Sequence, residues 1–277
     1  MLKKTLIPIC LIVLVLSGCV KSKLISKGPE LLTHKFVEGK IIEYQIDQTI
    51  ASTMVIQGTT QDQTINMSFI ISNEIEKVYA DSVLINVLIK KADGSVNAYE
   101  QVQNIPTIAE LKGKSVKISL HSNGDFKILE SSEGIEDESS DFSLEPFIES
   151  TFGFLPDKKV KTGETWNKES TSDAHTSKSK YTLLGYKIVK DGLNLAIIEE
   201  ESETSIDKNV KENMMDIHTV LSGKTEAIIN CSLIDGFIIS SKSHAAMEGT
   251  SYITGTPAGD LSIPTYFNID AKMIRIK

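Results

Sequence analysis

TINMSFII, residues 64 to 71, sets Ile65, Met67, Phe69 and Ile71 on one parity and Thr64, Asn66 and Ser68 on the other. Successive side chains of a pleated strand point to opposite faces, so this alternation describes a strand half-buried in an antiparallel sheet. The pattern spreads in both directions. IIEYQID places Ile42, Tyr44 and Ile46 against Glu43, Gln45 and Asp47; Val83, Ile85, Val87 and Ile89 repeat it, as do Val116, Ile118 and Leu120. Asp93-Gly94, Asn123-Gly124, Asp191-Gly192 and Asp235-Gly236 each separate two such runs. These dipeptides supply the positive φ angles of tight hairpins. The expectation is a mainly β chain: a curved antiparallel sheet or half-barrel, built as a hairpin meander.

Two segments leave the period of two. Pro106 to Lys112, stopped by Gly113, has proline in the first turn and glycine past the end, as short helices prefer. DFSLEPFIESTFG, residues 141 to 153, puts Leu144, Phe147, Ile148, Thr151 and Phe152 at helical spacing, with Asp141 or Ser143 to cap its start and Gly153 its end. One or two short helices therefore cover a mouth or face of the sheet. Residues 130 to 141, ESSEGIEDESSD, read as a solvated acidic loop. LKGKSVKISLHSNGDFKI (111–128) and LSGKTEAIINCSLIDGFII (221–239) share an order of Leu-x-Gly-Lys, strand, turn and strand, while Gly39 and Gly163 open comparable strands. Two alternatives stay open: a duplicated sheet with halves 39–140 and 141–277, or chance likeness between hairpins.

The first residues speak of location. Lys3 and Lys4 precede an eleven-residue apolar run, Leu6 to Leu16. A bilayer span needs about 20 residues, so this run suits a secretory signal instead. Leu16-Ser17-Gly18-Cys19 resembles a bacterial lipobox. That resemblance implies removal of residues 1–18, diacylglyceryl transfer to the Cys19 thiol and acylation of the new amino terminus, by palmitate or its like. Two or three acyl chains hold a protein stably where one does not. Val20, rather than Asp, follows the cysteine, which favours the outer membrane in a Gram-negative cell. Residues 19–38, with Lys21, Lys23, Lys27 and Lys35, form a lipidated tether, and 39–277 a single β-rich domain.

Composition narrows the function classes. Removal of residues 1–18, which hold two lysines and no acids, moves the net charge from −8 to −10. An acidic body whose one arginine is Arg275 argues against nucleic acid as a partner. With Cys10 and Cys19 in the leader and the anchor, Cys231 stands alone as a buried small hydrophobe, and no internal disulfide forms. Gly223-Lys224-Thr225 lacks the upstream glycine of a phosphate-binding loop, since His218 stands there, and Gly249-Thr-Ser251 lacks the second glycine of a nucleophile elbow. Asp173-Ala-His175 and Asp216-Ile-His218 each place two polar groups on one strand face, a pattern commoner among exposed positions than in metal sites. No catalytic set, cofactor or metal is expected. Trp166, with Phe147, Phe152 and Phe154 as companions, is either a core anchor or the wall of an apolar ligand site.

A lipobox, a Gly-Lys opening strand, FLPDKKVKTGETWN at 154–167 and a meander with Asp-Gly hairpins together resemble a group of uncharacterised bacterial lipoproteins with a LolA/LppX-type half-barrel. The resemblance covers most of 39–277. It implies a curved sheet, covered by short helices, enclosing an apolar cavity for acyl chains; two short helices are fewer than such half-barrels usually carry. The expected protein is thus a membrane-anchored, non-catalytic envelope lipoprotein that binds a lipid or other apolar ligand. The alternative is a structural lipoprotein with a filled core, which meets another envelope protein through sheet edges or the polar segments 167–180 and 201–217.

Overall fold

The computed structural model describes residues 24–56, 58–98, 101–121, 124–135, 143–171, 175–189, 194–212, 215–255 and 259–277, with the backbone alone for 210–212 and 215. The leader, Cys19, Asp141, Asp173 and Asp191-Gly192 lie outside the described residues. In chain order the elements are β1 (Ile41–Ile56), β2 (Thr59–Val78), β3 (Ser82–Ala98), β4 (Gln101–Asn104), α1 (Pro106–Ala109), β5 (Ser115–His121), β6 (Phe126–Ser131), α2 (Glu145–Phe152), β7 (Thr165–Thr171), β8 (His175–Ile188), β9 (Asn194–Glu212), β10 (Met215–Ser232), β11 (Ile238–Thr254) and β12 (Leu261–Arg275). All strands join one antiparallel sheet, ordered β6-β5-β3-β2-β1-β12-β11-β10-β9-β8-β7, with β4 beside β3. β6 and β7 remain as unjoined edges, so the curved sheet does not close.

The predicted alternation is present, but the chain covers only one end of it. Buried residues fall at the start of β1 (Ile42, Tyr44) and of β3 (Val83 to Ile89), and at the start of β9 (Leu195 to Ile198). They recur towards the end of β2 (Ile71, Ile75), of β8 (Leu183, Tyr186) and of β10 (Ile229, Cys231). Strands that run up and down bring those termini to one end of the sheet. There α2 inserts Ile148, Thr151 and Phe152, and the run after it adds Phe154, Leu155 and Val160. Full burial of an Ile or Phe contributes roughly 1.5–3 kcal/mol, so this end carries the stability.

The expected tether is part of the body from Leu24 onward. Ile25 bridges to Tyr186, Glu30 bridges to Val160, and Leu32 is buried in the core. The turn between β10 and β11 is locked by Asp235, whose carboxylate accepts hydrogen bonds from Lys40 Nζ at 2.8 Å and Arg275 Nη1 at 2.9 Å. The lone arginine is thus engaged internally, in an ion pair rather than with an external anion.

Gly39 and Gly163 have the same local geometry. Both adopt positive φ two residues before a strand, at 78° and 84°. Gly39 N donates to Ile75 O and Ile75 N to Lys40 O; Gly163 N donates to Leu183 O and Leu183 N to Glu164 O. Each acceptor strand then bulges one residue on, after Ile75 and after Leu183. The openings of β1 and β7 therefore share one hydrogen-bond pattern and a following bulge, whereas Gly113 lies in a turn and Gly223 within β10.

Two expectations are corrected. Asp93-Gly94 makes no turn: β3 passes through it, and the missing Cβ leaves room for Ile108 of α1, whose side chain would lie 2.9 Å from that atom. The polar segments 167–180 and 201–217, offered as contact surfaces, are largely paired strand. In the acidic stretch, Glu130 and Ser131 belong to β6 and Ile135 is fully buried.

Candidate functional site

Trp166, Phe152 and Phe154 are brought together at the covered end. Trp166 stacks on Tyr181 with ring centroids 5.7 Å apart, and its Nε1 donates to Phe154 O at 2.8 Å. Phe152 and Phe154 both stand edge-on to the His34 ring, at 5.7 and 5.9 Å, and Phe237 lies 5.0 Å from it. Burial among these rings lowers the His34 pKa to about 4, against the smaller effects of its bond to Phe152 O and of Asp235. Phe147 stands apart, half-buried and edge-on to Tyr44 at 6.2 Å. It marks the border where coverage ends, together with Ile46, Met67 and Ile108.

Beyond that border the same face continues, and most of its described side chains are half-buried, with Ser52, Leu221 and Thr265 buried. The register puts Ile46 opposite Met273, Ile50 opposite both Ile65 and Ile269, Ile65 opposite Val96, and Met247 opposite Phe267. Across these strands the face carries mainly apolar or small side chains, with Gln48 and Gln63 among them, while the other face carries Asp47, Asn66, Asp270, Lys272, Glu248 and Lys224. Close contacts of these strands are with their sheet neighbours, apart from those of β3 with α1. Sequence alternation announced the apolar face; the lack of cover was invisible, because it depends on where distant loops lie.

Gly223 and Gly249 shape this surface. A Cβ at Gly223 would stand 2.2 Å from Ala246 O, and one at Gly249 1.9 Å from Val220 O. Both residues face the apolar side, on adjacent strands where Gly223 pairs with Met247 and Leu221 with Gly249. Glycine within a strand marks such close approach and sharp bending.

A polar cluster borders the apolar surface on the β7–β9 side. Glu200 accepts hydrogen bonds from Ser202 Oγ at 2.6 Å, Ser179 Oγ at 3.3 Å and Tyr181 OH at 3.3 Å, and Ser170 Oγ donates to Glu149 of α2. Burial, then the Glu200 charge, pushes the Tyr181 phenol above its usual range. These groups are mutually satisfied and include no nucleophile–base pair. His175 faces the apolar side, whereas His218 faces the other and pairs with Asp207 at 2.8 Å, so the two histidines form no common site. Among the described residues no three His, Cys, Asp or Glu converge for a metal. Hollows of 680 and 780 Å³ lie chiefly against the polar face, where Lys91–Asp93 and His244–Asp270 pairs neutralise much of the charge.

Comparison with solved structures finds weak likeness. A COG4313 outer membrane channel from Pseudomonas putida F1 is 6% identical with a TM-score of 0.27, covering 88% of this chain and 98% of that one. A mutant Rh. blastica porin is 8% identical at 0.23, covering 84% and 100%. A DUF1329 family protein from Desulfovibrio piger is 11% identical at 0.14, covering 82% and 83%. At such TM-scores the likeness transfers neither topology nor function. No curated protein matches the chain. A family model does match residues 44–238, from Tyr44 in β1 to Ile238 at the start of β11, and on that match the chain belongs to a family of unknown function, DUF6263.

Proposed function

We propose that the protein is a cell-envelope lipoprotein, held to a membrane through acylated Cys19, whose uncovered apolar half-face takes up an acyl chain or similar apolar ligand without catalysing a reaction. The observation that carries this reading is the apolar patch of Ile50, Ile65, Ile269, Phe267 and Met247, left half-buried by an unclosed sheet. An acyl chain laid along it would remove methylenes from water at ~0.8 kcal/mol each. The lipobox supports the anchor, and Val20 favours the outer membrane where the cell has one.

Native mass spectrometry of protein extracted without detergent is expected to show bound lipid, and a fluorescent fatty acid to be displaced by unlabelled palmitate. Clean protein that ignores the probe would sink the carrier reading. A structural lipoprotein that engages another envelope protein is the second reading. It is favoured by one observation: Trp166, Phe152 and Phe154 are packed against protein side chains.

A further inference from the structure

Exposed apolar side chains gather at the covered end of the sheet, outside the core they cap. Ile188 at the end of β8 is 61% exposed, Ile234 in the β10–β11 turn 64%, and Tyr79 in the β2–β3 turn 51%. Leu24, Ile25 and Val37 are exposed on the segment that crosses this end. That segment binds β8 through Ile25 and Tyr186 (2.8 and 3.0 Å), the β10–β11 turn through Lys35 N and Asp235 O (2.9 Å), and β2 through Gly39 N and Ile75 O (2.8 Å). It therefore follows the sheet order and joins the exposed residues into one surface.

Single exposed hydrophobes need no explanation, and Val220, Tyr252 and Tyr266 on the strands are of that kind; a group at one end does need one. Lysines frame it. Lys27 lies 4.9 Å over the Tyr186 ring and Lys77 5.7 Å over the Tyr79 ring, with Lys35 and Lys187 nearby in the chain. Lys27 also pairs with Glu30 at 3.5 Å, and Glu38 and Asp81 stand nearby in the chain, so the apolar groups dominate and the charges assist.

We propose that this end of the body rests on the bilayer, with Ile188, Ile234 and Tyr79 in the boundary between headgroups and acyl chains and the lysines at lipid phosphates. Apolar side chains framed by lysine are the chemistry of an interfacial surface. Chain length selects a bilayer over a protein partner. Cys19 precedes Leu24 by five residues, which extend at most ~18 Å, so an acylated Cys19 keeps this end within that distance of the membrane. The inference rests on the anchoring reading and adds an orientation to it.

The test labels a cysteine introduced at Ile188 or Ile234, and at Tyr252 as control, with an environment-sensitive fluorophore in the full lipidated chain. Cys231 is buried and does not compete. In phosphatidylethanolamine–phosphatidylglycerol vesicles, labels at 188 and 234 are expected to shift to the blue and to be quenched by doxyl lipid at least threefold more than the label at 252. Equal, water-like emission at all three positions in vesicle-bound protein overturns the orientation and leaves the anchor standing. The same labels on the Cys19→Ala chain separate the two ideas. Residual vesicle association of the Cys19→Ala chain that Ile188→Asp with Ile234→Asp reduces about tenfold supports the surface even if palmitate labelling fails. No vesicle association of either chain overturns both.

Discussion

Asp235 ties three remote parts of the chain, and its ionisation state is a stability term. Burial alone would raise its pKa, but the hydrogen bond from Lys40 and the charge of Arg275 outweigh that and hold it at about 2. A carboxyl depressed in the fold stabilises above its unfolded pKa, near 4, and that stability is lost as pH falls through 2. Asp235→Asn leaves two cations short of a partner and is expected to lower the unfolding free energy by about 2–4 kcal/mol at neutral pH, read by urea titration. His34 gives an earlier acid effect. Its pKa of about 4 means the unfolded chain binds a proton first, so stability declines from pH 6.5 towards 4 and levels below. A His34→Phe variant should be flatter across that window, by on the order of 2 kcal/mol, if urea midpoints are compared at pH 7 and pH 4.5. Cys231, 1% exposed with its thiol pushed up to about 12 by burial and then by Asp235, should resist thiol reagents until the chain unfolds.

Among the elements, β10 and β11 are the ones that glycine permits. Gly223→Ala and Gly249→Ala each drive a methyl into a neighbouring backbone carbonyl, which cannot rotate away. Each is expected to cost about 3 kcal/mol or to prevent folding, measured by thermal melts. Gly94→Ala is the informative contrast. Its methyl meets the Ile108 side chain of α1, which can shift, so about 1 kcal/mol is expected. Asp93-Gly94 misread as a turn follows from the same chemistry: glycine answers both to a backbone needing positive φ and to a neighbour needing space, and the dipeptide does not say which.

For the whole molecule, the two ends of one sheet differ in what a charge does to them. Ile42→Glu at the covered end is expected to unfold the protein, since an unpaired carboxylate would sit in the core. Ile269→Glu on the uncovered half should cost about 1 kcal/mol or less, yet abolish fatty-acid binding if that face is the ligand site. With the covered end on a bilayer, strands such as the 20-residue β2 would carry the apolar half-face some tens of ångströms away, at ~3.4 Å per residue.

Much of the architecture is legible in the amino-acid order alone. Alternation at Ile65 to Ile71 and Val83 to Ile89, the turns at Gly124 and Gly236, and both short helices follow from local rules, because pleat, turn and helix period are properties of neighbouring residues. Which half of the apolar face is covered is a different kind of fact. It depends on Phe154 and Phe237, each more than a hundred residues from His34, meeting around its ring, and on hairpins long enough to outrun the loops that cap them. Sequence by itself determined the sheet and its two-sided chemistry; tertiary structure alone decided where that chemistry stays open, because cover is a contest between strand length and distant chain.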